Sequence, residues 1–221
     1  MAQVFPNQLI TDLEDVLSSP RFATYLRVTG GDRQRAAQLY CWNTEVSAAF
    51  YTPLQFAEIG TRNGAIEAIT VEFGPDWHKN RGFQLTIREK IGRYLRPRRD
   101  LINLAGRLGT AGAVAAELKF AFWQHLFITA QDTRLWEPHL RTAFPGIPAA
   151  LSVTTARQQI HDDIQAIRAL RNRIAHHEPI IAHALSDDLD RAHRLATWRR
   201  PMLEAWLQQT DNVAPLLNNR P

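Results

Sequence analysis

A single cysteine, Cys41, in 221 residues excludes an internal disulfide framework and suits a reducing cytosol. It sits between Tyr40 and Trp42 in a helical pattern, as a packed thiol does. No run of 18 or more apolar residues occurs, so neither a transmembrane helix nor a membrane partner is expected. The opening MAQVFPNQLITDLEDV lacks the basic start and apolar middle of a signal peptide, and a cytoplasmic location is the expectation. Strand-like alternation is almost missing, and so are repeats, low-complexity tracts and linkers. Lysine is scarce too: Lys79, Lys90 and Lys119 are the lysines among 26 Lys+Arg. Arginine-favouring codon usage accounts for that, and so would a need for planar forks that grip phosphate or buried carboxylates. The net charge of +4 and pI near 9.6 permit an anionic partner without demanding one.

What is present is helical periodicity, and the fold class expected is all-α. Helices are predicted over 7–18, 20–28, 32–50, 53–72, 83–95, 99–106, 110–128, 131–143, 152–177 and 186–209. Ser19-Pro20 and Thr52-Pro53 read as helix starts, a hydroxyl cap followed by proline at the first position. Gly30-Gly31, Gly74-Pro75 and Pro145-Gly146 read as breaks. One domain over residues 1–210 is expected, with a frayed tail at 211–221. The tryptophans Trp42, Trp77, Trp123, Trp136, Trp198 and Trp206 sit at helical spacing and are assigned to the core, the last two on one face of one helix. The basic stretch REKIGRYLRPRRD carries Arg88, Arg93, Arg96, Arg98 and Arg99 around Tyr94. Such a run commonly forms a solvated face; contact with RNA is the functional alternative.

The most informative stretch is ALRNRIAHHEPI, residues 169–180. At about 100° per residue, Ile160, Ile164, Ile167 and Ile174 fall within about 40° of a common line, and Arg171 lands inside that stripe. A guanidinium there needs a carboxylate, or the face lines a cleft or an interface. Glu58 and Arg62 raise the same question on the preceding long helix, where their spacing of four allows an intrahelical ion pair among apolar positions. Two Arg-Asn pairs, Arg62-Asn63 and Arg171-Asn172, point to a shared polar cluster, structural or functional. His176 and His177 close the last turn before Pro179, where cations favour the helix carbonyls and imidazoles exchange protons near neutral pH. Asn172 lies one turn before His176 and is placed to orient it. Arg171 and His176 diverge by about 140° on a regular helix, so their cooperation requires a distorted helix end or a second copy of the chain. His176 and His183, with Glu178 and Asp187 nearby, do not form a metal-binding motif, and no metal or other cofactor is expected.

The segment RNRIAHHE, from Arg171 to Glu178, resembles the Rx4-6H motif of HEPN domains (higher eukaryotes and prokaryotes nucleotide-binding). The earlier block LYCWNTEVSAAFYTPLQFAEIGTRNGAI, from Leu39 to Ile66, is similar to the N-terminal segment of the Abi-like, abortive-infection branch. Both stand in the right order, and the resemblance covers roughly residues 20–208. It implies a HEPN-like helical bundle with additional helices, paired as a two-fold homodimer. It also implies a metal-independent endoribonuclease of phage defence or a toxin–antitoxin system, with an antitoxin or regulatory partner. Carried over, Arg171 and His176 take the motif positions and Asn172 the polar position after the arginine. Glu58, Arg62, Asn63, His177 and Glu178 take supporting places. Glu178 stands where toxins silenced by a nucleotidyltransferase partner carry tyrosine, which puts that mode of control in doubt. The reaction implied is attack of an RNA 2′-hydroxyl on the adjacent phosphorus, leaving a 2′,3′-cyclic phosphate. The competing expectation is a non-catalytic HEPN-like dimer that binds RNA, a nucleotide or a protein.

Overall fold

A computed structural model describes residues 4–89 and 96–221. Among them every regular element is helical and no strand occurs. Three short N-terminal elements, α1 (Asn7–Leu17), α2 (Ser19–Val28) and α3 (Arg33–Ala49), lead almost without a break into the long α4 (Tyr51–Phe73). Then come α5 (Arg81–Thr86), α6 (Pro97–Arg107), α7 (Ala111–Glu117) and α8 (Phe120–Leu126). A 3-10 turn and a π turn carry the chain into α9 (Glu137–Ala143). The second long helix, α10 (Val153–Ala175), is followed by α11 (Leu185–Arg199), α12 (Leu203–Thr210) and α13 (Val213–Asn218).

The capping chemistry explains some boundaries and corrects others. Asp32 accepts from the Arg35 amide at 3.0 Å and Ser152 from the Thr155 amide at 3.0 Å, satisfying orphan donors at the starts of α3 and α10. Thr52 does not cap: α4 begins at Tyr51, and Pro53 is tolerated because its missing N–H lies in the first turn. Ser19 is likewise the first residue of α2 rather than its cap. The helix expected over 110–128 is cut at Leu118, whose extended backbone separates α7 from α8. The helix expected over 186–209 stops at Arg199, because the residue before Pro201 is driven to extended geometry, here φ −152° and ψ 108° at Arg200. Trp198 and Trp206 therefore sit on different helices. Trp198 is core, whereas Trp206 is 41% exposed and packs on Phe56 with ring centres 4.3 Å apart. The helix expected over 83–95 ends at Thr86, and its residues 90–95 lie outside the described residues.

The tail does not fray. Val213 is fully buried, the Trp42 indole donates to the Leu216 carbonyl at 2.7 Å, and His193 pairs with Asp211 at 2.9 Å.

α11 lies against both long helices, α4 on one side and α10 on the other. The α10 stripe Ile160, Ile164, Ile167 and Ile174 is buried as its periodicity requires. Beside the stripe lies Asp163, with no exposed surface, accepting from both Nε and a terminal nitrogen of Arg194 at 2.8 Å each and from Gln159 at 3.0 Å. These bonds hold the Arg194 guanidinium more firmly protonated than usual. On the other flank Arg157, also buried, grips Asp132 with Nε at 2.9 Å and a terminal nitrogen at 3.1 Å. Neither pair announced itself in the periodicity.

His78, in the turn after α4, is a buried anomaly: it has no exposed surface, and neither ring nitrogen has a hydrogen-bond partner among the described residues. Burial pushes its pKa below the ordinary 6.5, assisted by Lys79 and opposed by Asp76. The unfolded chain then binds the proton that the fold excludes, so this contribution is whole above about pH 6.5 and is lost as pH falls below it. Urea unfolding between pH 5 and 7.5 should show stability dropping on the acid side, and His78→Phe should flatten that drop. Equal acid sensitivity in the variant would contradict the assignment. Replacing Asp163 by asparagine removes the charge that holds the half-exposed Arg194 and turns an amide donor toward it in a buried place, and should cost about 1–3 kcal/mol in denaturant unfolding.

Candidate functional site

The end of α10 is built as a Schellman turn. The Glu178 amide donates to the Arg173 carbonyl at 2.8 Å and the His177 amide to the Ile174 carbonyl at 3.0 Å. That geometry puts His177 at φ 54°, a left-handed position usually given to glycine. Arg173 staples the turn from outside, donating twice to the Pro179 carbonyl at 3.1 and 2.9 Å and pairing with Glu178 at 3.1 Å. Asn43 of α3 accepts from the Ile180 amide at 2.9 Å, and Arg21 of α2 donates to the His177 carbonyl at 3.1 Å. The motif segment is thus anchored by residues far away in sequence.

One turn back, Arg171 does not enter the core. Its side chain is 51% exposed and lines a cleft of about 440 Å³ between α4 and α10. Its Nε stands 3.7 Å from the Glu58 carboxylate. Both expectations for this residue, a waiting carboxylate and a cleft, are met together, because a long side chain at the stripe's edge carries its charge to the cleft mouth. Glu58 pairs across helices with Arg171. Arg62 lines the same cleft, and its Nε is buried without a hydrogen-bond partner among the described residues. Tyr51, Gln55 and Ile59 complete the α4 wall, and Ile174 and Ala175 the α10 wall. Tyr51 and Gln55 escaped the sequence reading; the available signal was the helical spacing that puts Tyr51 one turn before Gln55 and Gln55 one turn before Glu58 and Ile59.

The remaining motif residues go elsewhere. His176, the C-cap residue, and Asn172 are exposed and are not in the wall of that cleft, as the divergence from Arg171 on a regular helix requires. His177 and Glu178 line an adjoining cleft, which shares Tyr51 and Ile174 with the first. Asn63 faces a third hollow, with Phe56, Gly60, Arg199 and Arg200, so the two Arg-Asn pairs do not form one cluster. In the basic stretch Arg93 lies outside the described residues. Arg88, Arg96 and Arg99 are exposed, but Arg98 turns inward, donating to the Ile87 carbonyl at 2.9 Å and the Leu85 carbonyl at 3.3 Å. Cys41 is half-buried on α3, and burial, then Glu45, push its thiol pKa up.

Comparison with family models, curated proteins and solved structures found no match to this chain. No helix among the described residues is long and apolar enough to cross a membrane. Among the same residues no three His, Cys, Asp or Glu side chains converge as a metal site would require.

The left-handed backbone at His177 should make His177→Gly more stable than the parent, by about 0.5–1 kcal/mol. An unchanged or lower urea midpoint would show that the imidazole contributes more than its backbone strain costs.

Proposed function

We propose that this chain is an Abi-like protein of the HEPN superfamily, acting as a metal-independent endoribonuclease in phage defence or a toxin–antitoxin system. The observation that carries the reading is the meeting of the two sequence blocks behind the resemblance. Glu58 and Arg62 of the first line one cleft with Arg171 of the second. The cleft presents guanidinium groups from two helices, with one carboxylate to orient Arg171. Such a pair of forks suits a phosphodiester whose charge grows in the transition state.

In this reading the 2′-oxygen bonds to phosphorus as its proton passes to a base. The bond from phosphorus to the 5′-oxygen breaks, and that oxygen takes up a proton. The products are a 2′,3′-cyclic phosphate and a 5′-hydroxyl end. Arg171 and Arg62 neutralise the phosphorane oxygens, and Glu58 positions Arg171. His176 moves the proton, with Asn172 orienting the ring or the phosphate. Since His176 lies outside the Arg171 cleft of its own chain, the reading requires a second copy, related by a two-fold axis, to bring a histidine to each arginine. The exposed Arg88, Arg96 and Arg99 offer phosphate contacts away from the reacting bond.

The placement of His176 also favours a second reading, a HEPN-like dimer that binds RNA, a nucleotide or a protein without cutting. One experiment separates them: wild type and His176→Ala are incubated with mixed cellular RNA in EDTA, and the new ends are mapped. Cleavage to cyclic-phosphate ends is expected, with under about 1% of it left in the variant and DNA untouched. Cleavage retained by His176→Ala, or abolished by EDTA in the wild type, would sink the ribonuclease reading. Intact RNA bound by a dimer would establish the second.

A further inference from the structure

The third hollow, about 290 Å³, lies between α4 and the turn from α11 into α12. Its size is at the lower end of small-ligand sites. It opens where α11 stops at Arg199, ahead of Pro201, and α12 resumes only at Leu203. Gln55, Phe56, Ile59, Gly60 and Asn63 recur every three to four residues and form one face of α4 toward it.

The wall is mostly apolar. Phe56 and Ile59 come from α4 and Leu203 from α12, and Phe56 is held by Trp206 with ring centres 4.3 Å apart. Gly60 has no side chain to interfere, so the stem of Arg199 lies on α4, its Cγ 3.5 Å from where a Cβ would stand. No carboxylate lines the hollow among the described residues.

The charge comes from two neighbouring arginines. Arg199 is buried and donates to the Ala143 carbonyl and to Glu67 Oε2. Arg200 reaches the same Glu67 oxygen at 3.5 Å and donates to the Arg199 carbonyl at 2.8 Å. Two guanidinium groups thus share one carboxylate oxygen, which leaves one positive charge in surplus beside apolar surface. A charge in such a place is favourable only when it is matched and hydrogen-bonded. Arg200, half exposed, keeps N–H donors in reserve, and the exposed Asn63 amide faces the same hollow. One unit of negative charge closes the balance. A monocarboxylate supplies that, in the planar form that suits a guanidinium fork, whereas a phosphate monoester brings nearly twice the charge.

We propose that this hollow binds a small carboxylic acid with an apolar tail. Arg200 and Asn63 take the carboxylate, and the tail lies on Phe56, Ile59 and Leu203. The site shares Gln55 and Ile59 with the Arg171 cleft but none of its charged groups, and it does not depend on RNA cleavage.

The test is calorimetric titration of the full chain with octanoate at millimolar concentration, with hexanoate, octanol and acetate as matched probes. Saturable octanoate binding is expected, about tenfold tighter than hexanoate for its two further methylenes. Octanol and acetate, each lacking half of the recognition, should bind more weakly still. Arg200→Gln should weaken octanoate binding about 3- to 10-fold while leaving the urea midpoint near that of the parent, since its own ion pair is solvent-exposed. Leu203→Ala should weaken it by a similar factor through the tail. Octanol bound as tightly as octanoate, no saturable binding, or binding indifferent to either variant overturns the proposal. A leucine-ended tripeptide that binds more tightly than octanoate, and fails to bind once its end is amidated, would give the hollow to a chain terminus and overturn the small-acid assignment.

Discussion

The buried carboxylate of Asp163 sets the relation between the helices that carry the site. A charge without exposed surface is tolerable only if its oxygens are saturated, and Arg194 and Gln159 do this. Because Arg194 belongs to α11 and Asp163 to α10, the bond locks those helices in one register. α11 is tied in turn to α4 through Arg199, which donates to Glu67 at 2.5 Å and to the Ala143 carbonyl. The offset between α4 and α10 follows, and with it the placing of Glu58 opposite Arg171.

The scarcity of lysine acquires a physical reading at this level. Arg98, Arg141, Arg173 and Arg199 each donate to main-chain carbonyls, and Arg157 and Arg194 fork onto buried carboxylates. A planar, always-charged fork makes two directed bonds where an ammonium makes a point contact. Much of the arginine therefore holds helices and turns together. Arg171 and Arg21 differ: each keeps most of its fork open in a cleft wall.

The two clefts meet at Tyr51 and Ile174, on either side of one ridge. A single device, the Schellman turn with His177 in the left-handed region, separates them by turning the chain away just after Arg171 has been placed. His176 is thereby set exposed at the helix end, outside the wall of the cleft that the arginine five residues before it lines.

Helix existence, the apolar stripe of α10 and the core tryptophans were legible because they depend on spacing within one segment. The five-residue divergence of Arg171 and His176 was legible for the same reason. The break at Arg200 was also legible, in Pro201, though the helical periodicity runs on through it. The docked tail and the exposure of Trp206 were not, since each depends on what a neighbouring helix leaves uncovered. The pairing of Glu58 with Arg171 instead of Arg62 belongs with these, as do the buried partners of Arg157 and Asp163. Periodicity states which face of a helix is apolar. Only packing decides which charge meets which, because that choice is made between separate helices, 25 residues apart for Asp132 and Arg157, 31 for Asp163 and Arg194, and farther for Glu58 and Arg171, where chain spacing carries no distance information.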